Sequence, residues 1–435
     1  MQIRRLEYGI LLALFAVLFS LALTVEYQRV VNYLFGDEAV YYMMAQSFGH
    51  DLDLEYTPKD LWRVYEEGWS AGPQGVFLRK INDHIYYSKS FVYSLLLAPF
   101  LLAFGFNGFL ALNMLLLFLM IVLGWLYLRQ FNPPLPSLLV SMTFFLLSAS
   151  VIYAFWLTPE TFNMFCVMAG LFLWLYQREQ RGETSDLWYR FSRRPLALKI
   201  ISAPFTLLRW LFTTPDGRLC LAPAPIAVAA ASKLPNVLFI LPIVADVLLE
   251  GGMRIFKSRA ASLEPLERRK ILVNAVTRFV LICAAFWLIF LIFYGLQGVL
   301  TGDVNPYAGD RKTFYKAFPF ADAGDAWDKG IRLSNDDYAD ESFYFSWSVF
   351  FHNVYYYVFG RFTGILPYFP CVFAALWYFA KWLASQKLAW NAAYVTFRMT
   401  IWQRRVFLLL TIAASVFAYI YMAPSNYQGG GGAFG

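Results

Sequence analysis

The feature that most constrains this chain is a series of apolar stretches of about 16 to 26 residues, close to the length that a helix needs to cross a membrane. Hydrophobic residues make up 59% of the chain and charged residues only 15%, whereas a soluble domain has roughly 25% charged residues. This composition excludes a disordered chain, a basic nucleic-acid-binding domain and a soluble enzyme. The sequence therefore predicts an all-α polytopic membrane protein, with residues 1–435 forming one transmembrane domain.

The apolar stretches predict about nine transmembrane helices. Two segments need separate treatment. Lys233 and Pro235 divide the segment 217–249, which can form one broken helix pair instead of two spans. The apolar segment 91–105 is interpreted as a helix that lies in, or dips into, the outer interface, because a further span there would reverse the sides of the later loops. The predicted spans are 8–24, 107–128, 135–156, 160–176, 217–231, 235–249, 272–297, 362–382 and 404–423.

The distribution of Lys and Arg predicts the orientation of these helices, because basic residues concentrate in cytoplasmic loops. Segments 177–216 and 250–271 are basic and are predicted to be cytoplasmic. Segments 25–106 and 298–361 are predicted to be the outer loops, and they carry many Asp and Glu residues. We therefore expect an integral protein of a bacterial inner membrane. The mixed aromatic and basic residues of 183–216 indicate either an anchor on the inner leaflet or a docking site for a partner.

Motifs of several enzyme classes are missing from the sequence. HExxH, a Walker A loop and GxGxxG after a predicted strand do not occur. GxSxG occurs at Gly68–Gly72 (GWSAG), within the first predicted outer loop and not at the turn from a predicted strand to a helix that a nucleophile elbow needs. The four cysteines lie in or beside apolar stretches without metal-ligand spacing, so no metal ligands are assigned. The strongest remaining candidates for chemistry are two adjacent carboxylates, Asp37 and Glu38, shortly after the first predicted helix.

The second outer loop contains two polar clusters. Residues 305–311 form a turn-rich segment with polar groups suited to a sugar. The second cluster, Asp336, Asp337, Asp340 and Glu341, has the composition of a calcium site but lacks the alternation and the glycine of an EF-hand loop. We interpret it as a solvated acidic loop.

Four short motifs occur near the predicted outer ends of helices. Gly36–Tyr42 (GDEAVYY) follows the first helix, and Tyr86–Phe91 (YYSKSF) leads into the next apolar segment. Leu157–Phe162 (LTPETF) and Ala231–Pro235 (ASKLP) come later. Together they resemble, in order, motifs of the GT-C membrane glycosyltransferases, in particular the branch with protein O-mannosyltransferases and the lipid A aminoarabinose transferase. The resemblance covers roughly residues 1–250 in order, and more loosely 298–435. Serine and phenylalanine stand where that family has two prolines after the motif lysine.

The resemblance implies a GT-C-like fold and an inverting glycosyltransferase with a polyprenyl-phosphate-linked sugar as donor. It places the general base at Asp37, with Glu38 in a supporting role. Such a reaction also needs cations for the departing lipid phosphate. The cations nearest the predicted outer face are Lys89, Lys233 and Arg361. The acceptor, whether a protein, a lipid or a glycan, is not readable from the sequence, and a requirement for a divalent metal stays open.

Residues Glu160, Tyr41 and Tyr87 are the candidates for binding the acceptor or the sugar. For several candidates a plainer interpretation stands beside the functional one. Glu160 can simply begin a helix, Lys233 can extend its amine to the lipid headgroups, and Arg361 can anchor its helix at the interface. A transporter or lipid flippase, and a non-catalytic membrane scaffold, are the alternative functions. Relatives usually continue through further helices, so an incomplete chain ending at Gly435 is a further alternative.

Overall fold

A computed structural model describes residues 2–29, 32–176, 214–260, 264–321, 326–333, 346–360, 364–385 and 392–422, together with Thr206 and Leu211. The chain is predominantly helical. The first half contains α1 (Gln2–Thr24), α2 (Asp37–Asp51), α3 (Pro58–Glu66), α4 (Val92–Phe104), α5 (Gly108–Leu128), α6 (Pro134–Leu146), α7 (Ala149–Ala154) and α8 (Glu160–Leu175). The second half contains α9 (Pro215–Leu221), α10 (Pro223–Ser232), α11 (Leu241–Ala260), α12 (Pro265–Thr301), α13 (Trp347–Phe359), α14 (Ile365–Tyr368), α15 (Pro370–Ser385) and α16 (Ala392–Met422).

Within the described residues, four helical segments are long and apolar enough to cross a membrane. They are Leu6–Thr24, Val92–Leu128, Leu234–Arg259 and Pro265–Thr301, and Pro134–Leu146 and Glu160–Leu175 are shorter apolar helices. The chain is therefore a helical membrane protein, while the count of nine spans stays a prediction.

One predicted span is divided, and the predicted separation of the segments 91–105 and 107–128 is present in the structure. The predicted span 135–156 breaks between α6 and α7, where the hydroxyl of Ser148 accepts a hydrogen bond from the backbone N–H of Ser150 and caps α7. The long apolar stretch from Val92 breaks at Gly105, whose φ of 59° favours glycine. The chain then turns so tightly that a Cβ atom on Gly108 would lie 2.3 Å from the carbonyl oxygen of Phe100. α4 and α5 are therefore separate helices packed against each other.

A small sheet joins the two predicted outer loops, and the sequence patterns did not predict it. β3 (Val76–Ile81) pairs antiparallel with β4 (His84–Tyr87) and with β5 (Asp310–Phe314), and β5 pairs with β6 (Ile331–Arg332). A second, two-stranded sheet pairs β1 (Leu34–Phe35) with β2 (Pro73–Gln74). Because strands of both loops share one sheet, the two loops lie on the same side of the molecule.

The buried core surrounds α5, which packs against α1, α4, α6 and α8. One polar residue in this core positions the later loops. Asn113 is fully buried, accepts a hydrogen bond from the Tyr93 hydroxyl at 3.2 Å and donates one to the carbonyl oxygen of Trp156 at 3.0 Å. These bonds hold the turn before α8 against α4.

Candidate functional site

Asp37 forms an ion pair with Lys89 at the start of α2. The positive φ of Gly36 (56°) turns the chain into the helix, and a carboxylate in the first helical turn is stabilised by the helix dipole. Lys89 lies in the link between β4 and α4, with its Nζ 2.8 Å from Oδ1 of Asp37 and 5.0 Å from the centre of the Phe77 ring. The structure thus brings together the motif carboxylate and the motif lysine.

Glu38 points to different partners. Its carboxyl group accepts a hydrogen bond from the Trp156 side chain, which lies in the turn before α8. The pKa of Glu38 is raised to about 7, chiefly because the carboxyl group is buried; the bond from Trp156 opposes the shift, and the nearby charge of Asp37 adds to it. The two adjacent carboxylates therefore have distinct environments, as the angle of about 100° between neighbouring helical residues leads one to expect.

A second ion pair joins Glu160, the first residue of α8, to Lys233 at the end of α10. One carboxylate oxygen of Glu160 receives the amine of Lys233, and its other oxygen, Oε2, is buried without a hydrogen-bond partner among the described residues. The side chain of Lys233 is 41% exposed. This pair is thus only partly satisfied.

Hydrogen bonds bring the two ion pairs close to each other. The hydroxyl of Ser90 donates to the carbonyl oxygen of Ala231 at 2.9 Å, which ties the residue after Lys89 to the end of α10. Serine at this position, where the resembling family has proline, therefore supplies a contact between two motifs. The Tyr41 hydroxyl is buried, and the charges of Asp37 and Glu160 both help to raise its pKa well above the ordinary value. Both carboxylates consequently act on Tyr41.

Several buried polar groups around the start of α8 have no hydrogen-bond partner in the described part of the chain. They include both amide atoms of Asn163, together with the hydroxyls of Thr158 and Thr161 and Oε2 of Glu160. Buried polar groups in proteins are nearly always paired, so a cluster of unpaired ones calls for a ligand or water. Asn163 lies one turn after Glu160 on the same face of α8, and sequence patterns gave no signal for it.

An apolar cavity of about 730 Å³ begins at this cluster. Glu160, Lys233 and Asn163 lie in its wall, and Asp37 and Lys89 do not. The rest of the wall is mostly apolar and follows one face of α8 as far as Leu175, roughly 22 Å along the helix at 1.5 Å per residue. Its other residues include Met120, Leu123, Tyr127, Phe144, Phe145, Tyr153, Met164, Val167, Met168, Leu171, Phe239, Phe369 and Ile412. The cavity therefore combines a charged end with a long apolar body.

The turn-rich segment 305–311 also reaches the site. The guanidinium carbon of Arg311 lies 4.9 Å from the centre of the Tyr307 ring. Nε of Arg311 donates to the hydroxyl of Ser88, next to Lys89, at 2.7 Å. Arg311 is thus a cation near the site that the sequence did not single out.

The remaining predicted site residues are placed elsewhere or are not described. Tyr87 is buried in the core, where its ring packs edge-on against Tyr56 at 5.9 Å between ring centres, and its hydroxyl has no hydrogen-bond partner among the described residues. Arg361, the acidic cluster from Asp336 to Glu341 and the segment 177–205 lie outside the described residues. The described residues contain no group of three His, Cys, Asp or Glu side chains that would hold a metal ion.

No protein-family model, curated protein or solved structure matches this chain. The relation to the GT-C glycosyltransferases is therefore a likeness of short motifs, and the geometry of the site carries the functional argument.

Proposed function

We propose that this protein is a membrane glycosyltransferase that moves a sugar from a polyprenyl-phosphate donor to an acceptor at the extracytoplasmic face. The observation that carries the proposal is the Glu160–Lys233 ion pair at the charged end of a long apolar cavity. The Asp37–Lys89 pair lies outside the cavity wall, and the hydrogen bond from Ser90 to Ala231 links it to the end of α10. Binding of a lipid phosphate requires cations beside an apolar channel, and removal of the proton from an acceptor hydroxyl requires a carboxylate. The nine-span GT-C arrangement belongs to the same proposal.

The apolar body of the cavity suits the polyprenyl tail. Burial of apolar surface contributes about 25 cal/mol per Å², so a tail along α8 would supply much of the binding free energy without any polar contact. The phosphate would then lie at the charged end, near Lys233. The unpaired carboxylate oxygen of Glu160 and the unpaired amide of Asn163 can form hydrogen bonds with the sugar hydroxyls.

Donor binding would exchange partners at both ion pairs. Lys89 and Lys233 are each held by a carboxylate, and the donor phosphate is a competing anion for both amines. When Lys89 turns to the phosphate, Asp37 loses its partner and becomes available to the acceptor. Asp37 would thus be free to act as a base only when the donor is bound.

In the transfer step, the acceptor oxygen attacks the anomeric carbon while Asp37 takes the proton from the acceptor hydroxyl. The bond between the anomeric carbon and the phosphate oxygen breaks, and the electron pair leaves with the polyprenyl phosphate, whose added charge Lys89 and Lys233 stabilise. Attack from the opposite side inverts the anomeric configuration. Glu38 supports this chemistry through its charge and its contact with Trp156.

A lipid flippase is the second candidate, because the cavity follows nearly the whole length of α8. A flippase would also bind a lipid phosphate near Lys233. The two functions differ in their product, since a transferase releases free polyprenyl phosphate and a flippase moves the intact donor across the bilayer.

The test uses the purified full-length chain in proteoliposomes with a panel of polyprenyl-phosphate hexoses and pentoses, together with peptide, lipid and glycan acceptors. Mass spectrometry then measures free polyprenyl phosphate and the glycosylated acceptor. We expect release of polyprenyl phosphate with at least one donor, dependent on acceptor. Movement of intact donor without release would favour the flippase, and failure to bind polyprenyl phosphate at all would contradict both functions.

A further inference from the structure

A second cavity lies at the opposite end of the helices from the candidate site. It has a volume of about 350 Å³ and lies between α11 and α12. α12 has 37 residues and is about 55 Å long, whereas the hydrocarbon layer is about 30 Å thick, so its first turns extend beyond the apolar layer. α11 becomes charged from Glu250 onward in the same region. The cavity therefore lies at a membrane boundary.

The wall of this cavity combines cations with apolar surface. Arg254, Lys257 and Arg278 contribute three positive charges, and Glu250 is the acidic residue of the wall. Most of the wall is apolar and comes from both helices, including Val247, Ile271 and Ala275. A small soluble anion needs polar surroundings, so this wall suits an anion that carries apolar groups.

The cations are partly neutralised but retain an excess of positive charge. Arg254 pairs with Glu250, and Nη2 of Arg278 lies 2.8 Å from Oδ1 of Asp216. Lys257 has no carboxylate within ion-pair distance in the described part of the chain. Four further basic residues are exposed on the adjoining turns, namely Arg259, Arg268, Arg269 and Lys270.

Exposed apolar side chains surround the basic cavity on both helices. Phe256 is 73% exposed, and Met253, Leu272, Val273 and Val276 are also exposed. On a membrane boundary such side chains face acyl chains. The two helices approach closely within the cavity wall, where a Cβ atom on Gly251 would lie 3.1 Å from Cβ of Ala275.

We propose that this cavity, between Glu250–Ser258 of α11 and Ile271–Arg278 of α12, binds the phosphate headgroup of an anionic phospholipid from the leaflet opposite the candidate site. Basic pockets between transmembrane helices suit such headgroups. The acyl chains lie along the exposed apolar side chains, and the phosphate contacts Lys257 and Arg254. A lipid at this position contacts both α11 and α12.

The experiment measures lipids that remain bound to the full-length protein by native mass spectrometry, during titration with phosphatidylglycerol or phosphatidylcholine. The test variant is Arg254→Gln with Lys257→Gln. The matched control is Arg268→Gln with Lys270→Gln, which removes the same charge from the neighbouring turn outside the cavity wall. A cation that contacts the bound headgroup contributes about a fivefold gain in affinity for anionic lipid, so the test variant should lose on the order of 25-fold, whereas the control residues lie outside the cavity wall.

The proposal requires that phosphatidylglycerol affinity fall in the test variant and stay within about twofold in the control, and that excess inorganic phosphate not displace the lipid. Equal losses in both variants would indicate diffuse surface charge and overturn the proposal. Equal binding of phosphatidylcholine would also overturn it, as would full displacement by inorganic phosphate, which would identify a site for the free anion. If the double variant fails to fold, Lys257→Gln alone should lose about fivefold, and no loss would overturn the proposal.

Discussion

A cluster of charged side chains lies at each end of α8, and the two clusters differ in how completely their hydrogen bonds are formed. At the Trp174 end, Asp246 accepts hydrogen bonds from the Trp174 indole at 2.8 Å and from Nε of Arg404 at 2.7 Å. Nη1 of Arg404 donates to the carbonyl oxygen of Trp174 at 3.2 Å, and the Asp246 side chain is only 2% exposed. At the other end, Lys233 is 41% exposed and Glu160 has an unpaired buried oxygen.

This difference separates a structural ion pair from a candidate binding site. A buried charge is tolerated when hydrogen bonds satisfy it, and the Asp246 cluster meets that condition with three bonds across α8, α11 and α16. The Glu160 cluster does not, because its cation is open to the cavity and its polar groups lack partners. Charged residues within apolar helices are thus not equivalent, and the completeness of their hydrogen bonding indicates which of them await a ligand.

The largest expected effect is the loss of turnover in Asp37→Asn. The amide cannot take the acceptor proton, so the rate of polyprenyl phosphate release should fall about 10²–10⁴-fold. Donor affinity should be kept or rise, because Lys89 is freed from its carboxylate partner. Asp83→Asn is the control, since that side chain is 95% exposed on the outer sheet. Near-normal turnover in Asp37→Asn would remove Asp37 from the role of base.

Arg404→Met tests the structural end of α8. The change leaves Asp246 buried beside a single remaining donor, and breaking a buried pair in this way costs about 3–5 kcal/mol of unfolding free energy. Thermal unfolding in detergent measures the loss. The control is Arg405→Met, whose guanidinium lies 5.4 Å from the Phe131 ring centre. Adding Asp246→Asn should restore part of the stability, and an unchanged melting temperature in Arg404→Met would contradict the structural role.

Lys233→Met tests the other end of the same helix. A charge-assisted bond to phosphate contributes about 1.5–3 kcal/mol, so affinity for polyprenyl phosphate should fall from roughly tenfold to more than a hundredfold. The melting temperature should change little, because the exposed Lys233 pair adds little to stability. Lys80→Met, in the outer sheet, is the matched control. Equal effects of Lys233→Met and Arg404→Met on the melting temperature would contradict the distinction between a structural ion pair at one end of α8 and a binding site at the other.

The effect that is smallest for each step of the measurement concerns pH and Glu38. Its pKa in the folded protein is raised to about 7, above its ordinary value of 4.5, so the folded state binds the proton more tightly than the unfolded state. The contribution of Glu38 to the free energy of unfolding should therefore be fully present below about pH 4.5. It should be lost as the pH rises through 7, by at most about 1.4 kcal/mol per pH unit.

Melting temperatures of the wild type and of Glu38→Gln, compared from pH 5 to pH 8, measure this contribution. The glutamine variant should lack this part of the decline and be the more stable protein at the alkaline end. Parallel curves for the two proteins would show that Glu38 is not the group responsible.

The sequence was most informative where hydrophobicity decides the structure. Apolar length predicted α5 and α8 to within one residue at each end. α1 begins six residues before its predicted span and α12 seven residues before, because polar turns continue both helices beyond the apolar stretch, and α12 also ends four residues after its predicted span. It could not predict the break between α6 and α7, because that break depends on a single capping serine in an otherwise apolar run. The outer sheet was missed because its strands are short and their partners lie far apart in the chain.

At the site, the motifs identified Asp37, Lys89, Glu160 and Lys233, and the structure pairs them. The pattern could not show which carboxylate meets which lysine, since that depends on how α2, α4, α8 and α10 pack. Asn163 was missed because an asparagine inside an apolar helix has no distinctive spacing. Tyr87 was included through its motif, but strand alternation turns it into the core, two residues before Lys89 turns out to Asp37.

The outer sheet also constrains the order in which the molecule can assemble. The buried Arg79 of β3 donates hydrogen bonds to the carbonyl oxygen of Asn305 and to the Thr301 hydroxyl, and its partner Asn305 is 226 residues later in the chain. During synthesis β3 emerges long before β5 and has no strand on that edge until α12 has been inserted. β4, which precedes Lys89, pairs with the other edge of β3 and is only a few residues away from it in the chain. The sheet can therefore form in two steps during synthesis, a local β3–β4 hairpin first and the long-range β3–β5 pair only after α12.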